Sequence, residues 1–139
     1  MIRFAFFLAN VLASTMTASP VVGTWEGKTN ELPSVELTLR EEGGHLAGTI
    51  AFYFQTRGDD GSWRLGPKTE VPLLSPKLEV NVLTFETTHH KKHGSQKLGP
   101  NNKYRVEFDS ANEARLHMYK GGEPATDQGG PGLKLTRRQ

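Results

Sequence analysis

The sequence predicts an all-β fold, an antiparallel up-and-down meander of about 8–10 strands closed into a small barrel. Three observations carry this. Apolar and polar residues alternate with period two through most of the chain. Turn-forming clusters separate the alternating stretches at hairpin spacing. And beyond residue 19 no window of convincing length carries the 3.6-residue apolar period of an amphipathic helix. A long meander leaves two exposed edges unless it closes on itself. A barrel removes both edges most simply, with a two-sheet sandwich as the runner-up.

Residues 1–19 read as a secretory signal rather than as part of the fold. Arg3 supplies a short basic start, Phe4 to Ala13 an apolar run broken by Asn10, and Ser14 to Ser19 small and hydroxylated residues. The apolar run is shorter than the roughly 20 residues a membrane-spanning helix needs. Cleavage near Ala18 leaves residues 20–139 as one domain with no transmembrane segment, exported to the periplasm or the medium.

Within that domain, "VVGTWEGK" opens the first strand. "SVELTLRE" places Val35, Leu37 and Leu39 on one face and Glu36, Thr38 and Arg40 on the other. "EEGGH" supplies glycines for a tight hairpin. "LAGTIAFYFQ" returns with Leu46, Ile50, Phe52 and Phe54 on one face, and Gly48 on that face predicts a bend or bulge. "RGDDGS" is a loop before Trp63, and "TEVPLL" a short edge or bulged strand interrupted by Pro72. "LEVNVLTFETTHH" is a strand or a tight hairpin around Asn81. In "KYRVEFDSANEARLHMY", Tyr104, Val106 and Phe108 alternate, "DSANE" turns, and Ala114, Leu116 and Met118 alternate back. "GGEPATDQGGPG" is a loop and "LKLTR" the closing strand.

Composition narrows the function classes. The chain contains no cysteine, so packing alone must hold the exported domain together. A domain of about 120 residues can bury enough apolar surface to do so. Without Arg3 it carries 16 Lys and Arg against 15 Asp and Glu, a formal charge of +1. There is no basic block and no stripe of interleaved aromatic and basic residues, which argues against nucleic-acid binding.

The most conspicuous polar cluster is "TTHHKKHGS". His89 shares a face with Phe85 and Thr87, so it points inward at a strand end if Phe85 is core; His90 falls on the opposite face. In one extended strand His89 and His93 would stand about 13 Å apart at 3.3 Å per residue. Zinc ligands bond at about 2 Å, and Lys91 and Lys92 oppose a cation, so no metal site is assigned. No serine lies in Gly-x-Ser-x-Gly, and neither a phosphate loop nor a dinucleotide fingerprint occurs. Asp59 and Asp60 lack the ligand spacing of an EF-hand loop. No catalytic residue and no cofactor is assigned.

The Gly-x-Trp step of "VVGTWEGK", Gly23 and Trp25, resembles the opening of the lipocalins and the wider calycin group. With "VELTLREEGGHLAGTI" and the terminal "GPGLKLTR", the chain is similar to small lipocalin-like domains exported by bacteria. That resemblance implies a lipocalin-like barrel in which Trp25 plugs one end. It also implies that a basic residue of the last strand packs across the indole: Arg137, with Lys134 or Arg138 as alternatives.

Two functional readings follow. In the first, the barrel binds a small apolar or amphipathic ligand, with Phe52, Phe54, Phe85, Phe108 and Met118 lining the interior and His89 orienting a polar or anionic head group at the rim. In the second, the barrel is filled and the protein is a non-catalytic interaction module of the cell envelope, whose outer face meets another exported protein or the envelope.

Overall fold

A computed structural model describes residues 20–88, 101–120, 123–124 and 132–139. The expected signal segment and His89, His90 and His93 lie outside the described residues.

Ten strands follow in chain order: β1 (Gly23–Thr29), β2 (Leu32–Glu42), β3 (His45–Arg57), β4 (Trp63–Pro72), β5 (Leu74–Glu79), β6 (Val82–Thr87), β7 (Asn102–Phe108), β8 (Glu113–Lys120), β9 (Glu123–Pro124) and β10 (Leu133–Arg137). Nine of them form one curled antiparallel sheet, a half-barrel, in the order β4-β3-β2-β1-β10-β8-β7-β6-β5; the two-residue β9 adds to β8. Among the described residues no helix is long and apolar enough to cross a membrane. The first and last strands meet in the middle of the sheet, where Trp25 stands opposite Arg137 and Gly27 opposite Leu135. The two edges, β4 and β5, are separated by Leu73 alone, and its N–H donates to the carbonyl of Gly48 on β3 at 3.0 Å.

The hairpins are built as the turn chemistry requires. Asn30 and Glu31 both have positive φ, 55° and 65°, the backbone of a primed two-residue turn that matches strand twist. Gly43 and Gly44 do the same between β2 and β3, with φ of 56° and 81°. Between β5 and β6 the turn is made by Val80 at φ 57° and Asn81, whose amide donates to the Phe108 carbonyl at 3.2 Å.

Alternation fills the concave face. Val35, Leu37 and Leu39 of β2, Ile50 of β3, Leu83 and Phe85 of β6, Tyr104, Val106 and Phe108 of β7, and Ala114 and Leu116 of β8 are all buried. Gly48 does not bend β3: the β2–β3 ladder runs without a register shift from Val35–Phe52 to Glu42–His45. The glycine is there for closeness, since a Cβ at that position would lie 2.0 Å from the Thr38 carbonyl oxygen. The irregularities fall elsewhere, at Gly27–Lys28, Tyr53–Gln55 and Leu74–Lys77. Pro72 ends an edge strand, where a missing N–H is tolerated.

Candidate functional site

The two ends of the concave face differ. At one end Trp25 is 1% exposed and packs edge-to-face on Phe108, ring centroids 5.0 Å apart. Its indole N–H donates to the Val21 carbonyl at 2.9 Å, so the buried donor is satisfied. The Arg137 guanidinium lies 5.2 Å from the centre of the Trp25 ring. The same guanidinium donates to the carbonyls of Val22 and Ala111, tying the chain start and the β7–β8 turn to β10. Gly23 has φ of 140°, and a Cβ there would press on Arg137 Nε at 3.3 Å. A glycine two residues before the tryptophan therefore makes room for the arginine.

Toward the other end the apolar columns climb out of the core. On β3, Ile50 is fully buried, Phe52 is half-buried and Phe54 is 57% exposed. On β8, Ala114 is fully buried, Leu116 is 7% exposed and Met118 is 44% exposed. Both end residues overhang their neighbours. The β2–β3 pairing begins at Val35–Phe52, and the β8–β10 pairing at Leu133–Leu116, so neither Phe54 nor Met118 has a partner on that side.

Below them the interior is bridged. Phe52 of β3 and Tyr104 of β7 face each other across the sheet's concavity, ring centroids 5.9 Å apart, and Tyr104 stacks on Phe85 at 5.1 Å. Burial pushes the Tyr104 phenol above its ordinary range, an effect that the side chain of Thr87, itself 2% exposed, opposes. Phe52, Phe85 and Tyr104 thus form an aromatic cluster with the buried Thr87 on the same strand face as Phe85; exposed Met118 is paired with Tyr104 across β7–β8, and exposed Phe54 lies two positions beyond Phe52 on β3. Of the residues expected from sequence to line a ligand, Phe52 and Phe85 meet through Tyr104, Met118 is paired with Tyr104 in the ladder, and Phe54 is exposed near the end of β3. Phe108 lies at the opposite end against Trp25, and His89 is outside the described residues. Alternation placed Tyr104 inward but gave no signal that its ring would meet Phe52 of β3. That contact spans two strands and is visible only once register is known.

The convex face carries charge. Glu36 accepts from the Tyr53 hydroxyl at 3.2 Å and from Arg138 at 3.0 Å, while Arg138 also binds Glu26. On β7 and β8, Arg115 pairs with Asp109 and Arg105 with Glu107. Between them sits His117, 5% exposed, with no hydrogen-bond partner on either ring nitrogen; Glu107 Oε2 is 3.7 Å from Nε2. Gly132 packs directly against this ring, where a Cβ would meet Cε1 at 2.8 Å. A groove of about 250 Å³ is bordered by Phe85 and Tyr104 together with Ser75, Thr84, Glu86, Lys103 and Tyr119. Asp60 is turned onto Ser62, accepting from its hydroxyl at 2.6 Å and its backbone N–H at 3.0 Å. Among the described residues no group of three metal-ligating side chains converges.

No protein family, curated protein or solved structure matches the chain.

Proposed function

We propose that the curled sheet closes into a small lipocalin-like barrel whose open end holds a small apolar or amphipathic ligand. Closure is supported by the seam. β4 and β5 run in the same direction with only Leu73 between them, so residues 63–79 act as one bent strand whose first part pairs with β3 and whose second part pairs with β6. A strand shared by both edges joins them without a further element. The Gly23–Trp25 step and the Arg137 guanidinium over Trp25 support the lipocalin-like assignment.

The ligand reading rests on one observation: two large apolar side chains, Phe54 and Met118, stand exposed on β3 and β8 toward the end away from Trp25. Apolar side chains on a concave surface with a few polar groups are the usual form of a small-ligand site. Residues 1–19, read as a secretory segment, put the encounter outside the cytoplasm.

Native mass spectrometry of the exported protein and displacement of a fluorescent apolar dye test this directly. A co-purifying mass or saturable displacement supports the ligand reading. If neither occurs, the exposed Trp63 and Leu65 on the outward side of edge strand β4, with Arg57 5.9 Å over the Trp63 ring, favour a protein-interaction module instead.

A further inference from the structure

Beyond residue 19 the chain holds one sulfur atom. It has no cysteine, and of its three methionines Met1 and Met16 fall in the segment read as a secretory signal, which leaves Met118. That sulfur is accessible. Ala114 and Leu116, on the same face of β8, are 0% and 7% exposed, whereas Met118 is 44% exposed. A methionine in the core would be shielded from oxidants and needed for packing; this one is open to water, where thioethers are oxidised first.

Met118 also stands where the ligand reading above places an apolar ligand. It is paired with Tyr104 across β7 and β8, and Tyr104 packs on Phe85 and Phe52, ring centroids 5.1 and 5.9 Å away. Side chains paired in this way start about 4.5–5.5 Å apart at Cβ. The thioether is thus the soft edge of the aromatic cluster, a residue type suited to surfaces that accept several apolar shapes.

A two-electron oxidant of the peroxide class converts this sulfur to a sulfoxide. The sulfur lone pair attacks one peroxide oxygen, an S–O bond forms and the O–O bond breaks. The proton of the transferred oxygen passes to the departing one, which leaves as water. Sulfur has then lost two electrons and the peroxide has gained them. The product carries an S–O dipole on a side chain that was apolar. While the surface is bare, water solvates that dipole and the fold is undisturbed. A ligand that covers it strips the water away and supplies no donor, which is unfavourable.

We propose that Met118 is a reversible oxidation site through which the redox state of the surroundings controls apolar binding at this end of the sheet. The thioether form binds, and the sulfoxide form binds weakly. This rests on the ligand reading above.

The exported protein, treated with hydrogen peroxide while folded, tests it, with the neutral apolar dye phenylnaphthylamine as probe. Intact mass is expected to rise by one oxygen atom, which peptide mapping places on Met118. Dye affinity is expected to fall about tenfold while the urea midpoint stays unchanged. Methionine sulfoxide reductases A and B, one for each sulfoxide epimer, are expected to restore it. Saturating dye is expected to slow the oxidation several-fold, since susceptibility follows exposure. Met118→Leu, close in volume, is expected to bind dye as the wild type does and to keep that affinity through the same treatment.

A Met118 that stays unoxidised, dye affinity unchanged after its full oxidation, or affinity that the reductases do not restore overturns the switch and leaves the ligand reading in place. An equal loss of affinity in treated Met118→Leu also overturns it. Failure of the untreated wild type to bind the dye overturns the ligand reading itself. The reductase arm uses the wild type alone, so a variant that fails to fold does not obscure the result.

Discussion

Arg137 lies across the face of Trp25, 5.2 Å from the ring centre, on directly paired positions of the last and first strands. Three parts of the chain that are remote in sequence meet at that guanidinium: the segment before β1 through Val22, the β7–β8 turn through Ala111, and the indole itself. A planar cation can stack on the ring and still aim its N–H groups outward at two carbonyls, which a lysine ammonium cannot do with the same geometry. This end of the sheet is held by this arrangement and by the edge-to-face packing of Phe108 on the indole.

Replacing Trp25 with Ala is expected to cost about 3–5 kcal/mol, the range for a buried large aromatic. Arg137→Ala is expected to cost about 1–2 kcal/mol from the lost cation–π contact and carbonyl bonds. Arg137→Lys should recover only part of that. Urea denaturation of the three variants checks the order; a Trp25→Ala protein as stable as the wild type would show that this end is not held by the indole.

Much of this architecture is legible in the chain because period-two alternation needs no tertiary knowledge. Val35, Leu37 and Leu39 are buried and their intervening residues are not, as the pattern of "SVELTLRE" requires. The same rule could not separate Ile50 from Phe54, which share a face but differ from fully buried to 57% exposed. What separates them is where the neighbouring strand pairing begins, and strand ends are set by turns rather than by alternation. Gly48 misled for a related reason: a strand glycine signals either a bulge or a close approach, and only the register against Thr38 tells which. His117 alternates outward in "ARLHMY", yet it is buried, because Gly132, fifteen positions later in sequence, packs onto it.

The β5–β6 turn contains a correctable strain. Val80 is 98% exposed and sits at φ 57°, where a β-branched side chain is crowded and nothing is gained from burial. It is the first central residue of a two-residue hairpin turn, a position that glycine fills when φ is positive. Val80→Gly is expected to stabilise the protein by about 1 kcal/mol, with the strain relieved exceeding the added chain entropy. A shift of the denaturation midpoint to higher urea checks this. A lower midpoint would mean that the valine is unstrained.

His117 makes stability depend on pH. Burial pushes its imidazole below the ordinary histidine range; Glu107 opposes the shift, and the Arg105 and Arg115 guanidiniums reinforce it. The groups around it are Arg105 and Glu107 on β7, Arg115 and Tyr119 on β8, and Lys134 of β10, which pairs with Arg115. For a base whose native value is lowered, the unfolded chain takes up the proton first as pH falls. The contribution is therefore complete above the unfolded value of about 6.5 and is lost as pH falls through the lowered native value. Urea denaturation between about pH 7.5 and pH 5.5 should show falling stability in the wild type and a flatter profile in His117→Leu. Parallel profiles would assign the dependence to other groups.

The proposed ligand site and the core can be separated by mutation because they occupy different levels of the same columns. Phe54 and Met118 are exposed at the rim, so truncating either removes little buried surface. Phe54→Ala and Met118→Ala are expected to change stability by no more than about 0.5 kcal/mol. Each should nevertheless weaken displacement of an apolar dye, by about tenfold, because the rim supplies apolar area only when a ligand covers it. Phe108→Ala is the opposite case. Its ring is 7% exposed and packed on Trp25, so about 3–5 kcal/mol of stability should be lost while the remaining folded protein binds dye with unchanged affinity. Dye titrations at a temperature where all three variants are folded, set beside their urea midpoints, give both quantities. If Phe54→Ala and Met118→Ala bind as the wild type does, the rim is not part of a ligand site, and the two side chains are simply exposed strand ends.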